Sequence, residues 1–233
     1  MDIYELESIL GHSFANKALL DQALTHSSYC RENGLPAADS NERLEFIGDA
    51  VLDAAVGIEL YRRLPEAGEG RLTKLRALVV CERSLALMAR EMEIGSLLLM
   101  GNGEDKYGGR EKDSIIADAL EAVIGALFLD AGFQAAERFV SERFAELIDL
   151  AINGELYTDH KTKIQELLQA MKSNPVIRYI VDRENGPDHD KTFHVHLEVD
   201  GIRLGNGSGK TKKEAEQKAA EQSLNGGYLN NVL

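Results

Sequence analysis

Apolar residues recur at three- and four-residue spacing through most of the first 150 positions, over 18–24, 44–64, 72–92, 115–129 and 136–148. That period predicts amphipathic helices, because residues three and four apart share one face. Polar, glycine-containing breaks separate them: ENGLPAADS at 32–40, PEAGEG at 65–70 and GNGEDKYGGREKD at 101–113. Asp39 or Ser40 is placed to cap the helix over 44–64, and Gly132 to close the one over 115–129.

Near position 150 the texture changes. AINGELYTDHKT, 151–162, is polar and reads as a linker. A short helix over 162–171 follows, then a strand over VIRYIVDREN, 176–185. TFHVHLEVD, 192–200, alternates cleanly and puts Phe193, Val195, Leu197 and Val199 on one face. IRLGNGSG, 202–209, is a third strand, and a last helix runs over 211–224. The order α-β-β-β-α predicts a small antiparallel sheet with both helices against one face. The chain is therefore expected to be mainly α: an all-helical domain at 1–150, a linker at 151–160, and a small α+β domain at 161–228. No internal repeat is visible.

Composition narrows the class. The 233 residues are 44% hydrophobic, enough for a core, but only 6% aromatic with no Trp, which favours helix packing over a β-sandwich. Cys30 and Cys81 are too few for a disulfide framework or a zinc cluster, and predict a reducing, cytoplasmic setting. The opening MDIYELESILGHSF lacks a basic region followed by an apolar one, so no signal peptide is expected. The most apolar run is interrupted by Asp118 and Glu121 and is too short to span a bilayer. The net charge of −13 belongs entirely to the first part: residues 1–157 hold 15 Lys/Arg against 28 Asp/Glu, and 158–233 hold 11 against 11. The total alone argues against a polyanionic partner. Clustered lysines and metal ions can nevertheless reverse the sign locally.

The acids inside the helical runs carry the chemistry. Glu42, Glu45 and Asp49 in NERLEFIGDAVL, and Asp118 and Glu121 in ADALEAVIGALFL, follow i,i+3 and i,i+4 spacing, so each helix offers an acidic column on one side. An ionised carboxylate in apolar surroundings costs several kcal/mol or takes up a proton. Five among Leu44, Ile47, Val51, Ile116, Leu120 and Ile124 make sense when a cation settles between two facing columns. An oxygen-only cage suits Mg²⁺ or Mn²⁺. A di-iron carboxylate bundle would need Glu-x-x-His pairs, and position 48 is Gly while 124 is Ile. No Ser-His-Asp set is evident, and neither cysteine has an activating environment. Metal-assisted hydrolysis is the expected reaction. His26 reads first as a structural histidine and only second as a general acid.

NERLEFIGDAVL followed by ADALEAVIGALFLDAG, together with LTHSSY (24–29), RLTKLRA (71–77), GGREKDSIIAD (109–118) and GSGKTKKEAEQKAAEQ (207–222), resembles bacterial ribonuclease III over essentially the whole chain. Ile47 stands where that pattern more often has Leu, an apolar exchange. The resemblance implies metal ligation by Glu45, Asp118 and Glu121, completed by Asp49 directly or through water, with Glu42 on the rim. Glu69 matches a further acid near the catalytic valley, although a solvated loop residue explains it equally well. Phe46 corresponds to a residue inserted into a partner subunit, which implies a homodimer; simple core burial is the alternative. The implied activity is Mg²⁺-dependent endonucleolytic cleavage of double-stranded RNA, with Mn²⁺ able to substitute. It would leave staggered 5′-phosphate and 3′-hydroxyl ends in ribosomal, transfer and messenger RNA precursors. The main rival is a protein that holds RNA duplex without cutting it.

The C-terminal part resembles a double-stranded RNA-binding domain. Thr162, Gln165 and Glu166 lie at i, i+3 and i+4, so one polar helix face can meet 2′-hydroxyls in a shallow minor groove. His189, in the GPDHD loop, would reach the next minor groove. Lys210, Lys212 and Lys213 crowd the start of the last helix, where they and the helix dipole favour phosphate. That cluster has the wrong sign for dipole stabilisation, so folding alone does not explain it.

Overall fold

The first unit of the computed structural model, Met1–Tyr157, is built from helices. In chain order these are α1 (Ile3–Leu10), α2 (Lys17–Ala23), α3 (Ser27–Glu32), α4 (Glu42–Arg63), α5 (Glu69–Val79), α6 (Glu82–Glu91), α7 (Ile94–Leu97), α8 (Asn102–Lys106), α9 (Asp113–Ala131), α10 (Phe133–Arg143) and α11 (Ala145–Ile152). The second unit, Thr158–Leu233, contains α12 (His160–Met171), β1 (Ile177–Asn185), β2 (Thr192–Val199), β3 (Ile202–Gly209) and α13 (Lys212–Asn225). The structure describes residues 3–156, 160–187 and 191–226.

Helix α9 is the hub of the first unit. It is apolar on almost every side, and Ile116, Leu120, Val123, Ile124 and Leu127 are buried against α2, α4, α6 and α10. A helix hydrophobic all round belongs in a core. Each such Leu or Ile contributes roughly 1.5–3 kcal/mol by leaving water. Gly132, at φ +81°, closes α9 in a backbone conformation that L side chains rarely adopt, as the sequence predicts.

Beside α9, α4 buries Leu44, Val51, Leu52, Ala55, Val56 and Leu60 and leaves the opposite face open. Its start differs from expectation. Neither Asp39 nor Ser40 caps it: Ser40 Oγ donates instead to Ala37 O at 2.8 Å. Asn41 stands at the cap position without a side-chain bond, and its amide donates to Thr25 O at 2.8 Å. Tertiary pairing to the α2–α3 connection therefore fixes the entry to α4.

Two predicted helices are each divided. The run over 72–92 breaks at Val80 and Cys81, where Ser84 Oγ (2.7 Å) and Cys81 Sγ (3.2 Å) both donate to Leu78 O. These side chains satisfy a carbonyl that helix continuation would have used, so the chain can turn there. The run over 136–148 breaks at Phe144, which is fully buried. The polar break over 101–113 contains α8, and the N-terminal segment forms α1, neither of which the apolar spacing announced.

The second unit is a three-stranded antiparallel sheet in the order β1-β2-β3. Alternation along β2 buries Val195, Leu197 and Val199. Leu197 and Val199 share one core with Ile164 and Leu168 of α12, Leu204 of β3, and Ala219 and Ala220 of α13, so both helices cover one face as predicted. A bulge at Asp182 turns its carboxylate toward His196 (2.8 Å) and Arg203 (2.7 Å), tying the three strands together.

Candidate metal centre and nucleic-acid interface

Where α4 crosses α9, carboxylate oxygens of Glu45, Asp118 and Glu121 lie within 4.8 Å of one another. Helix spacing puts Glu45 on one column and the other two on the facing one, and packing of α4 along α9 brings the columns together. All three side chains are half-buried. Asp49 and Glu42 are more exposed and lie outside this triad.

The electrostatics are those of anions pressed together. Burial, then Asp118, Glu42 and Asp49, pushes the Glu45 carboxyl up from its ordinary value. Burial, then Glu82, pushes Asp118 up. Glu121 is raised most, to about 8, by burial first and then by Asp49, Asp118, Glu45 and Asp53. Each of these causes disfavours the charged form, and the attraction of a dication among the oxygens would outweigh them. The oxygen-only donor set fits a hard ion such as Mg²⁺ or Mn²⁺ and offers nothing to a soft one.

Two contributors were not read from the sequence. Asp53 follows Asp49 at i+4 and extends the α4 column, a signal that was visible in the spacing. Glu82, at the start of α6, acts on Asp118 through the tertiary fold and had no sequence signal.

Other predicted residues stand apart from the triad. Glu69 occupies the first turn of α5, is exposed, and accepts a hydrogen bond from Thr73 Oγ1 at 2.8 Å. Phe46 is 78% exposed on the outer face of α4, so burial in its own core is excluded as its role. His26 caps α3: its Nδ1 accepts from the Ser28 amide at 3.3 Å and lies 2.7 Å from Ser28 Oγ. Burial pushes its pKa down.

In the second unit, Thr162, Gln165 and Glu166 are exposed on α12, opposite the buried Ile164 and Leu168. At the start of α13, Thr211 accepts from the Glu214 amide at 3.1 Å, and Glu214 Oε2 accepts from the Lys210 amide at 2.8 Å. This reciprocal cap fixes the turn that carries the lysines. Lys210, Lys212 and Lys213 are all exposed there. Lys212 Nζ lies 3.5 Å from Glu184 Oε1 and 5.5 Å above the Phe193 ring. His189 lies outside the described residues.

A helical unit with a hard-metal carboxylate cluster, and an αβββα unit with a polar helix face and a lysine-bearing helix start, define a two-domain nuclease class. Residues 16–148 match the ribonuclease-III-like family, and residues 160–226 match the double-stranded RNA binding motif. The chain belongs to the ribonuclease III family. Ribonuclease 3 of Pelotomaculum thermopropionicum is 48% identical over 94% of this chain and 90% of its own length. Ribonuclease 3 of Caldanaerobacter subterraneus subsp. tengcongensis is 46% identical over 94% and 95%. The crystal structure of the nuclease domain of ribonuclease III from Campylobacter jejuni superposes with a TM-score of 0.58 at 43% identity, covering 63% of this chain and 95% of that one. A second structure of that domain is described as showing flexibility in a region involved in dimer formation. The activity that goes with the family is endoribonuclease cleavage of double-stranded RNA. Among the described residues, no helix is long and apolar enough to cross a membrane.

Proposed function

We propose that this chain is a Mg²⁺-dependent endoribonuclease that hydrolyses phosphodiester bonds in double-stranded RNA. The observation that carries this reading is the convergence of Glu45, Asp118 and Glu121 within 4.8 Å, with Glu121 raised to about 8. These three would hold Mg²⁺, with Mn²⁺ able to replace it, and Asp49 would complete the set directly or through water. When bound, the metal supplies charge stabilisation at the phosphate and an acidified water. The protein's own part is to fix three oxygens on two rigid helices and to hold the duplex beside them. Glu42 would sit on the rim, and Glu69 near the catalytic valley.

The second unit would grip A-form duplex by shape and backbone. Thr162, Gln165 and Glu166 would face one minor groove, and His189 the next. Lys210, Lys212 and Lys213 would meet the intervening phosphates. The exposed stripe of Phe46, Ala50 and Ala54 on α4 supports a homodimer formed through the helical unit. Two such centres would each cut one strand, leaving staggered 5′-phosphate and 3′-hydroxyl ends. The reading places the enzyme in the cytoplasm, processing ribosomal and other structured RNA precursors.

The test is cleavage of long perfect duplex and of matched single strand, with and without Mg²⁺. The expected result is metal-dependent cutting of duplex only. Duplex that is bound but left intact under both Mg²⁺ and Mn²⁺ would overturn the enzymatic part.

A further inference from the structure

Most of the lysines in the second unit are already paired with carboxylates. Lys161 meets Glu216, Lys172 meets Asp200, Lys218 meets Glu214, and both Lys191 and Lys212 meet Glu184. Glu184 is the distinctive partner. It lies next to the last residue of β1, directly across from Phe193 on β2. Its Oε1 is 3.5 Å from Lys212 Nζ at the start of α13, and its Oε2 is 3.8 Å from Lys191 Nζ beside β2. The same Lys212 ammonium stands over the Phe193 ring. One carboxylate thus engages two lysines, one at the start of α13 and one beside β2, and a cross-strand ring helps hold Lys212 there.

We propose that Glu184 is an affinity-setting residue: its carboxylate occupies Lys212 and Lys191 in the free protein, and the RNA backbone must take them from it. This rests on the proposed reading of α13 as a phosphate-binding element. The pairs are solvent-exposed and loose, and such pairs are weak. The carboxylate therefore does not lock the lysines away. It lowers what each contributes, because a lysine still neutralised by Glu184 displaces few counterions from the duplex. The consequence is an enzyme tuned toward release of duplex, with Glu184 as the element that sets the tuning.

The experiment uses the full chain without divalent metal, so that nothing is cut. The duplex is longer than the roughly 16 base pairs that one such module spans. Dissociation constants are measured across a series of KCl concentrations for wild type, Glu184→Gln, Lys212→Ala and the double variant. Glu184→Gln is expected to bind several-fold more tightly at low salt and to steepen the salt slope by up to roughly 0.9, one further phosphate neutralised. Lys212→Ala is expected to weaken binding, and most of the Glu184→Gln gain is expected to vanish in its background. If Lys212→Ala binds like wild type, Lys212 meets no phosphate and this inference falls, while the reading of α13 then rests on Lys210 and Lys213. If Lys212→Ala weakens binding while Glu184→Gln leaves it unchanged or weaker, that reading stands and the role given to Glu184 is wrong. An undiminished gain in the double variant would make the effect one of bulk charge and overturn the assignment too.

Discussion

Gly48 of α4 and Gly125 of α9 meet backbone to backbone at the crossing that assembles the acidic triad. A Cβ on Gly48 would lie 1.8 Å from Glu121 O, and one on Gly125 would lie 2.2 Å from Leu44 O. The two helices approach as closely as they do because neither carries a side chain at that point. Glu45 and Glu121 each sit within four residues of these glycines, so the crossing sets the separation of the carboxylates.

Gly48→Ala is therefore expected to push α4 from α9, with a stability loss of about 1–3 kcal/mol or more from overpacking. Metal-dependent cleavage should fall further than stability accounts for. The control is Gly57→Ala, nine residues along the same helix, where an added Cβ meets only the Arg76 side chain at 3.9 Å. Thermal unfolding and cleavage rates of both variants check this. Equal effects at the two positions would show that the close crossing is not what matters.

Glu121→Gln should abolish cleavage while leaving duplex binding nearly unchanged. The loss should exceed about a hundredfold, since even groups one step removed from a bound metal typically account for 10–100-fold. The same change should raise stability in chelator. A carboxyl whose folded pKa is about 8, against an ordinary 4.5, binds its proton more tightly folded than unfolded. Metal-free stability thus falls as pH rises between those values. The glutamine variant should lose that slope and also the stabilisation that Mg²⁺ gives wild type. A variant that unfolds at lower temperature in chelator at pH 8 would contradict this.

The same proton governs metal uptake. Below about pH 8 the ion must displace it from Glu121, so apparent affinity should rise with pH, by up to roughly tenfold per unit, and level off above. Calorimetric titration with Mn²⁺ in buffers of different ionisation enthalpy should report close to one proton released at pH 7 and fewer at pH 9. A heat independent of buffer would rule it out.

Asp130, at the far end of α9, anchors the α1–α2 connection. Its carboxylate accepts from the Ala15 and Asn16 amides at 2.8 and 2.9 Å and lies 2.7 Å from His12 Nε2. The hydrogen bond with His12, then the two amides, hold its pKa below the ordinary value against the opposing effect of burial. A depressed carboxylate contributes stability that is complete above its unfolded pKa, near 3.9, and is lost as pH falls through the folded one. Asp130→Asn should cost about 1–3 kcal/mol at neutral pH, because an amide group would face donors. It should also reduce the steepness of acid unfolding. Denaturant titrations at pH 7 and in the acid range measure both.

How far these features could be read from the chain depends on whether the cause is local. The columns of α4 and α9 were legible because i,i+3 and i,i+4 spacing is a property of one helix. Their meeting was not, since it depends on two glycines 77 positions apart. The break at Val80–Cys81 escaped because apolar spacing continues through it, and only the Ser84 and Cys81 bonds to Leu78 O reveal the turn. Neither Asp39 nor Ser40 caps α4, because Ser40 turns back to Ala37 O and the Asn41 amide at the cap position is held by Thr25 O, distant in sequence. The strands were plain in the alternation of β2, whereas the engagement of Lys212 by Glu184 needs the sheet to be folded.

Glu184 pairs with Lys212, and replacing Lys210 and Lys213 tests phosphate contact at the same helix start by another route. The second unit has no net charge, so its affinity must come from where its lysines stand rather than from how many there are. Thr211 and Glu214 cap the helix through backbone amides, which fix that turn. Replacing both lysines by alanine should thus leave the fold intact. Duplex binding should weaken across all sequences, and the salt slope should flatten by up to roughly 0.9 per lysine that meets phosphate. Mn²⁺ binding at the helical unit should not change, because the two sites lie in separate units. An unchanged slope with weaker binding would mean that the lysines act through folding. Unchanged binding would move the phosphate contact away from the start of α13.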